Sequence, residues 1–334
     1  MIMRNRITRF DNLKGFLIIM VVFIHALIHK GFVQNNVFPL STNIEIMINS
    51  FTMPIFVFLS GLFTSKRTQE GCAEKIVFDI FIPFVVFHLL QWAIFSHSLK
   101  TVLNPFHHMW YLLSLFFWRL LIVHVSKIRF SLLISIAVAL ICGFTPADRL
   151  LSVSRTICFF PYFLAGYYTN KEIILKFGNC LKRKIFAGGG MIILFSAVII
   201  LQYKGLPILS VFLMNGGYES LGVSNITGLI LRASAYCISS ILVFCLLHLS
   251  IDKDCFLSTL GRNTMPIYIG HAIIIKVNAK ILRMTGIFLE ISEIEFVLFA
   301  IIETAAICLL LSNRYVVSLY QRLMGFITKS LGKR

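Results

Sequence analysis

Residues 10–29 read FDNLKGFLIIMVVFIHALIH, and the fold turns on this stretch. From Leu13 to His29 it is almost continuous hydrocarbon, long enough as a helix to cross most of a bilayer, yet it carries Lys14 and His25. An ideal helix advances about 100° per residue, so a spacing of eleven returns Lys14 and His25 to within roughly 20° of one direction, about 16 Å apart along the axis. Asp11 precedes Lys14 by three positions and His29 follows His25 by four, so all four fall within a stripe on the order of 60° wide. Ionisable groups inside a span are costly and face a bundle interior or a watery cavity. Taken alone, Lys14 is explained by snorkelling to the headgroups and His25 by ordinary hydrogen-bonded packing. The rest of the chain must separate these readings from a functional one.

The 334 residues are 58% hydrophobic and 13% charged, with a mean hydropathy of +0.86, outside the balance of a soluble globular chain. The apolar runs are helical in length and do not alternate, which argues against an outer-membrane barrel. An all-α polytopic bundle of about ten spans is expected, over residues 13–29, 44–64, 76–95, 109–126, 130–146, 156–170, 185–203, 226–249, 264–282 and 294–312. With the N-terminus cytoplasmic, about 20 Lys and Arg residues fall on inner segments and about seven on outer ones, satisfying the positive-inside rule with both termini cytoplasmic. The net charge of +17 is therefore a topology signal spread between spans, and no nucleic-acid partner is expected. The inner (cytoplasmic) membrane is the expected location and lipid the first partner.

The eight cysteines include no C-x-x-C pair, and with none in an expected outer loop neither a disulfide framework nor a metal site is expected. Residues 1–334 read as a single membrane domain, in which 313–334 form a basic cytoplasmic tail suited to an anionic leaflet. The longest outer loop, about 204–225, contains NGGYESLGVSN, a turn-rich connector or the rim of an outer site.

Five further stretches hold polar groups. Asp11 can cap the first span and pair with Lys14. In FTMPIFVFLSGLF (51–63), Pro54 and Gly61 predict a kinked or broken helix around a cavity, with Ser60 as a polar cavity group. Lys66 and Arg67 follow at the inner edge, as topology markers or phosphate contacts. HMWYLLSLFFWRL (108–120) places Trp110 and Tyr111 at a membrane boundary, where they form an aromatic belt or the floor of a sugar site. RTICFFPYFLAGYY (155–168) sets Arg155 at the outer mouth. LGRNTMPIYIGH (260–271) opens the ninth span with Tyr268 and His271 three apart on one face.

In order and spacing these stretches resemble the acyltransferase-3 family of integral membrane acyltransferases, especially its fucose 4-O-acetyltransferase-like branch. The resemblance implies a ten-helix enzyme that moves an acyl group, usually acetyl, from cytoplasmic acyl-CoA to a hydroxyl of a cell-surface glycan or its lipid-linked precursor. It places the family's basic-x10-His motif on Lys14 and His25, with His25 essential. Many members carry Arg where this chain has Lys14, which keeps the charge without the bidentate phosphate geometry. His25 then acts as general base or acyl carrier. Lys14, Lys66 and Arg67 are the expected donor contacts. Trp110, Tyr111, Arg155, Tyr268 and His271 are acceptor or pocket candidates, while Asp11, Pro54, Ser60 and Gly61 serve as support. No tightly bound cofactor is expected, since acetyl-CoA or another acyl-CoA is a substrate. The competing class is a secondary transporter or glycan flippase, with Arg232 and Glu303 joining a proton relay, although the two halves show no self-similarity of the kind many transporters carry.

Overall fold

The computed structural model describes residues 7–28, 39–64, 72–96, 102–105, 108–146, 150–176, 180–285 and 291–332. It is 84% helical, without strands among the described residues. The principal helices are α1 (Thr8–Ile28), α2 (Pro39–Asn49), α3 (Thr52–Leu62), α4 (Ala73–Phe95), α5 (Trp110–Val125), α6 (Ser131–Ile141), α7 (Val153–Tyr168), α8 (Leu181–Tyr203), α9 (Asn225–Leu249), α10 (Phe256–Arg262), α11 (Thr264–Thr285), α12 (Glu293–Ser312) and α13 (Arg314–Leu331). Each expected span falls largely on helix among the described residues. Seven helical stretches among the described residues are long and apolar enough to cross a membrane, and α5 and α6 are shorter apolar helices. The protein is an all-α polytopic bundle.

The chain divides into two compact units, Met1–Ile48 with Leu249–Arg334, and Asn49–His248. In the first, α1 packs on α10, α11 and α12. Two glycines let α1 and α10 touch backbone to backbone. A Cβ on Gly15 would overlap the Leu257 carbonyl, and one on Gly261 the Asp11 carbonyl. Between them lies Asn12, 2% exposed. Its Nδ2 donates to the carbonyls of Ile251 at 2.9 Å and Lys253 at 2.7 Å, while its Oδ1 accepts from Ser258 Oγ at 2.5 Å and Cys255 Sγ at 3.2 Å. All four hydrogen-bonding positions of that carboxamide are used. Helix α12 opens with a reciprocal cap between Ser292 and Glu295, and Asn278 Nδ2 donates to Glu303 Oε1 at 2.7 Å across α11 and α12. Helix α13 buries no residue, and Leu319, Leu323 and Phe326 stand exposed at helical spacing.

In the second unit, α3 and α7 cross at a pair of glycines. A Cβ on Gly61 would overlap the Phe163 carbonyl, and one on Gly166 the Phe58 carbonyl. The expected second span is broken: α2 ends at Asn49 and α3 begins at Thr52, with Pro54 in the first turn of α3. Proline has no N–H to offer the carbonyl four residues earlier, that of Ser50, and the Ser239 hydroxyl of α9 donates to it at 2.6 Å. The break thus has a chemical partner on another helix.

The 204–225 connection is anchored. Tyr218 is fully buried, its N–H donates to the Gly143 carbonyl at 2.6 Å and its hydroxyl to the Leu140 carbonyl at 2.7 Å. Arg232 lies 4.7 Å over the Tyr218 ring and donates to the Gly216 carbonyl at 2.7 Å. Burial raises the Tyr218 phenol above its ordinary pKa, and the nearby guanidinium opposes that rise. These contacts favour the connector reading over a substrate rim.

Candidate active site

The first unit holds two histidines side by side. His25 is half-buried on α1 and His271 fully buried on α11. Their ring centroids are 4.9 Å apart with the planes inclined at 71°. Both belong to helices long and apolar enough to span a membrane, His25 in the last turn of α1 and His271 in the first half of α11. Each ring is tied to its own helix one turn earlier. His25 Nδ1 meets the Val21 carbonyl at 2.7 Å and His271 Nδ1 meets the Ile267 carbonyl at 3.0 Å. A carbonyl only accepts, so the neutral ring in each case bears its hydrogen on Nδ1 and its lone pair on Nε2. The helix backbone therefore selects the tautomer that leaves Nε2 basic and nucleophilic. Tyr268, buried one turn before His271, has its ring 6.2 Å from that imidazole.

Lys14 is half-buried on the same helix as His25, about 16 Å away by helical rise. Its place is fixed by the contacts on either side of it in sequence, Asn12 with the 251–258 segment and Gly15 with Leu257. Asp11 differs from expectation. Helix α1 starts at Thr8, so Asp11 lies inside the first turn and does not cap it; the Asp11 and Phe10 amides both donate to the Ile7 carbonyl. Outside the spans, the Asp254 carboxyl is held below its ordinary pKa by the nearby Ser258 hydroxyl dipole, helped by Arg262, whose guanidinium reaches it at 3.3 Å. Lys66 and Arg67 lie outside the described residues.

The second unit pairs four of the other expected residues. Ser60 Oγ and the Tyr111 hydroxyl share a hydrogen bond of 2.6 Å, and Ser60 also donates to the Phe56 carbonyl at 2.9 Å. Trp110, 5% exposed, has the Arg155 guanidinium 5.1 Å from its ring centroid and Phe159 at 5.1 Å. Arg155 Nε donates to the Leu213 carbonyl at 3.2 Å. Trp110 is thus a buried cation–π partner more than an open stacking platform.

Two buried carboxamides, one in each unit, were missed by sequence reasoning. Gln91 is fully buried on α4, its Nε2 is 3.4 Å from His108 Nε2, and its Oε1 is buried without a hydrogen-bond partner among the described residues. A glutamine amid hydrophobic residues was the available signal, but a lone carboxamide in an apolar run names no partner. Asn12 was missed for the same reason, although it stands one residue from Asp11.

A family model described as an acyltransferase domain matches residues 7–313, a span that contains both histidines and nearly every described helix. The chain belongs to the acyltransferase-3 family. No curated protein and no solved structure matches it. This acyltransferase accordingly needs an acyl donor, an acceptor and a membrane around its helices, and the transporter reading is not favoured. Arg232 and Glu303, the groups that reading enlisted, are held by structural hydrogen bonds within their own units.

Proposed function

We propose that the protein is a membrane O-acetyltransferase of the fucose 4-O-acetyltransferase-like branch. It moves acetyl from cytoplasmic acetyl-CoA to a hydroxyl of a cell-surface glycan or its lipid-linked precursor. The observation that carries this reading is the tautomer of His25. With Nδ1–H given to the Val21 carbonyl, the ring's lone pair sits on Nε2, the nitrogen that acyl transfer requires, whether it removes the acceptor proton or carries the acyl group. Lys14 supplies positive charge for the phosphates of the donor, with Lys66 and Arg67 as further cations. Trp110, Tyr111 and Arg155 are assigned to the acceptor side, with the Arg155 guanidinium as the group that meets a polyhydroxylated ligand and buried Trp110 as its backing. The donor is a substrate, so no tightly bound cofactor is needed, and the inner membrane is the location that gives access to cytoplasmic thioester and exported glycan. The basic α13 lies on the anionic inner leaflet, its exposed apolar residues inserted between headgroups.

The test uses membranes containing the protein, acetyl-labelled acetyl-CoA and envelope glycan. Label entering base-labile esters of the glycan, lost in His25→Ala at equal protein level, supports the reading. Absence of such label with the active protein refutes it.

A further inference from the structure

Acyl transfer by a single histidine acting as base needs one imidazole, and the described residues of this unit set two against each other. Resting on the function proposed above, we propose that His25 and His271 divide the reaction: His25 Nε2 carries the acyl group and His271 Nε2 is the base that deprotonates the acceptor.

Three observations lead there. The rings are in edge contact at 4.9 Å, and a ring nitrogen of each lies within 4.8 Å of one on the other, a separation that a single hydroxyl oxygen can bridge. Both rings are fixed in the same tautomer by the same device, a carbonyl one helical turn earlier. And the two differ in burial. His25 is half-buried whereas His271 is fully enclosed, as suits a ring that handles a proton beside one that must be reached by a thioester.

The chemistry follows from the fixed Nδ1–H. His25 Nε2 adds to the thioester carbonyl, the C–S bond breaks, and CoA leaves as thiolate. Because Nδ1 keeps its hydrogen on the Val21 carbonyl, the product is a cationic acylimidazolium, more electrophilic than the thioester. Its Nε2 lone pair is now in the N–C bond, so His25 has no means of removing a proton in the second half. His271 Nε2 takes the hydrogen of the acceptor O–H as that oxygen bonds to the acyl carbon. The C–N bond breaks and its electron pair returns to His25. The proton on His271 then passes to the thiolate, and the sum is alcohol plus thioester giving ester plus thiol.

The experiment is isotope exchange with the purified full-length protein in lipid nanodiscs, containing acetyl-CoA and isotopically labelled free CoA without acceptor. Label should enter acetyl-CoA with the wild type and fail to do so in His25→Ala. In His271→Gln exchange should persist while transfer to glycan falls by about 100-fold or more, the usual contribution of a general base. Persistence of exchange also shows that this variant is folded. In His271→Ala, added imidazole should restore part of the transfer. Wild-type protein that acetylates glycan without exchange overturns the carrier role and leaves the proposed function standing. A His271→Gln protein that keeps full transfer, or loses exchange together with transfer, overturns the division of labour. Neither exchange nor transfer in the wild type removes both proposals.

Discussion

Asn12 offers the sharpest test of how the first helix is held. In Asn12→Ala four hydrogen bonds disappear, but their costs differ. Ile251 and Lys253 belong to exposed residues, so water can replace the amide at their carbonyls for roughly 0.5 kcal/mol each, at the low end for a hydrogen bond. Ser258 is fully buried and its hydroxyl loses an acceptor, at about 1–3 kcal/mol. The thiol of exposed Cys255 is a weak donor that water can serve and adds little, so the sum is about 2–4 kcal/mol. Asn12→Asp keeps the shape and both acceptor contacts, yet it turns the nitrogen that faces two carbonyl oxygens into an oxygen, and buries a charge against them. The substitution closer in shape should therefore be the more damaging one. Its deficit should shrink on acidification, because a carboxyl that keeps its proton more tightly folded than unfolded stabilises the fold as pH falls, and the protonated group can again donate. The assay is resistance to heating in mild detergent, read as the monodisperse fraction, at neutral and acid pH. If Asn12→Asp proves as stable as Asn12→Ala at neutral pH, the assignment of donors and acceptors around this carboxamide is wrong.

Other expectations concern both units. Gly61→Ala drives a methyl into the Phe163 carbonyl and should cost about 1–3 kcal/mol as overpacking, whereas Gly188→Ala, which meets nothing within 4 Å, should leave melting unchanged or slightly raised. Ser239→Ala removes the hydroxyl on the Ser50 carbonyl and should cost about 1 kcal/mol; combined with Pro54→Ala, which returns an N–H to that position, the loss should be smaller than the sum of the two, as a double-mutant cycle on thermal stability would show. Tyr218→Phe should lower stability by roughly 1 kcal/mol through the lost bond to Leu140 and leave acyl transfer per folded molecule unaltered, so a selective loss of transfer would return the 204–225 loop to the substrate rim. Arg155→Lys keeps the charge but gives up the planar guanidinium on Trp110; a raised acceptor KM with donor KM unchanged is expected.

The fold class was legible because it depends on quantities that add along the chain. Twenty apolar residues cross a bilayer whatever their neighbours do, and a backbone in hydrocarbon satisfies its hydrogen bonds only as helix or closed barrel. The break near Pro54 was legible for a similar reason, since a missing N–H is a local fact. The eleven-residue interval between Lys14 and His25 fixed their common face by helical geometry alone. What filled each local vacancy was decided in three dimensions: Ser239 for the Ser50 carbonyl, Asn12 for the turn at 251–258, Arg155 for the face of Trp110.

By itself, then, the sequence determined the solvent, the helices and the histidine of the first span, since hydropathy and period are written in one dimension. Only the tertiary structure decided that His271, 246 positions further along, stands against that histidine with its lone pair on the same nitrogen. Contact between residues so distant in the chain depends on how α1 and α11 pack, and a tautomer depends on which carbonyl the ring finds, and neither has a signature in residue order.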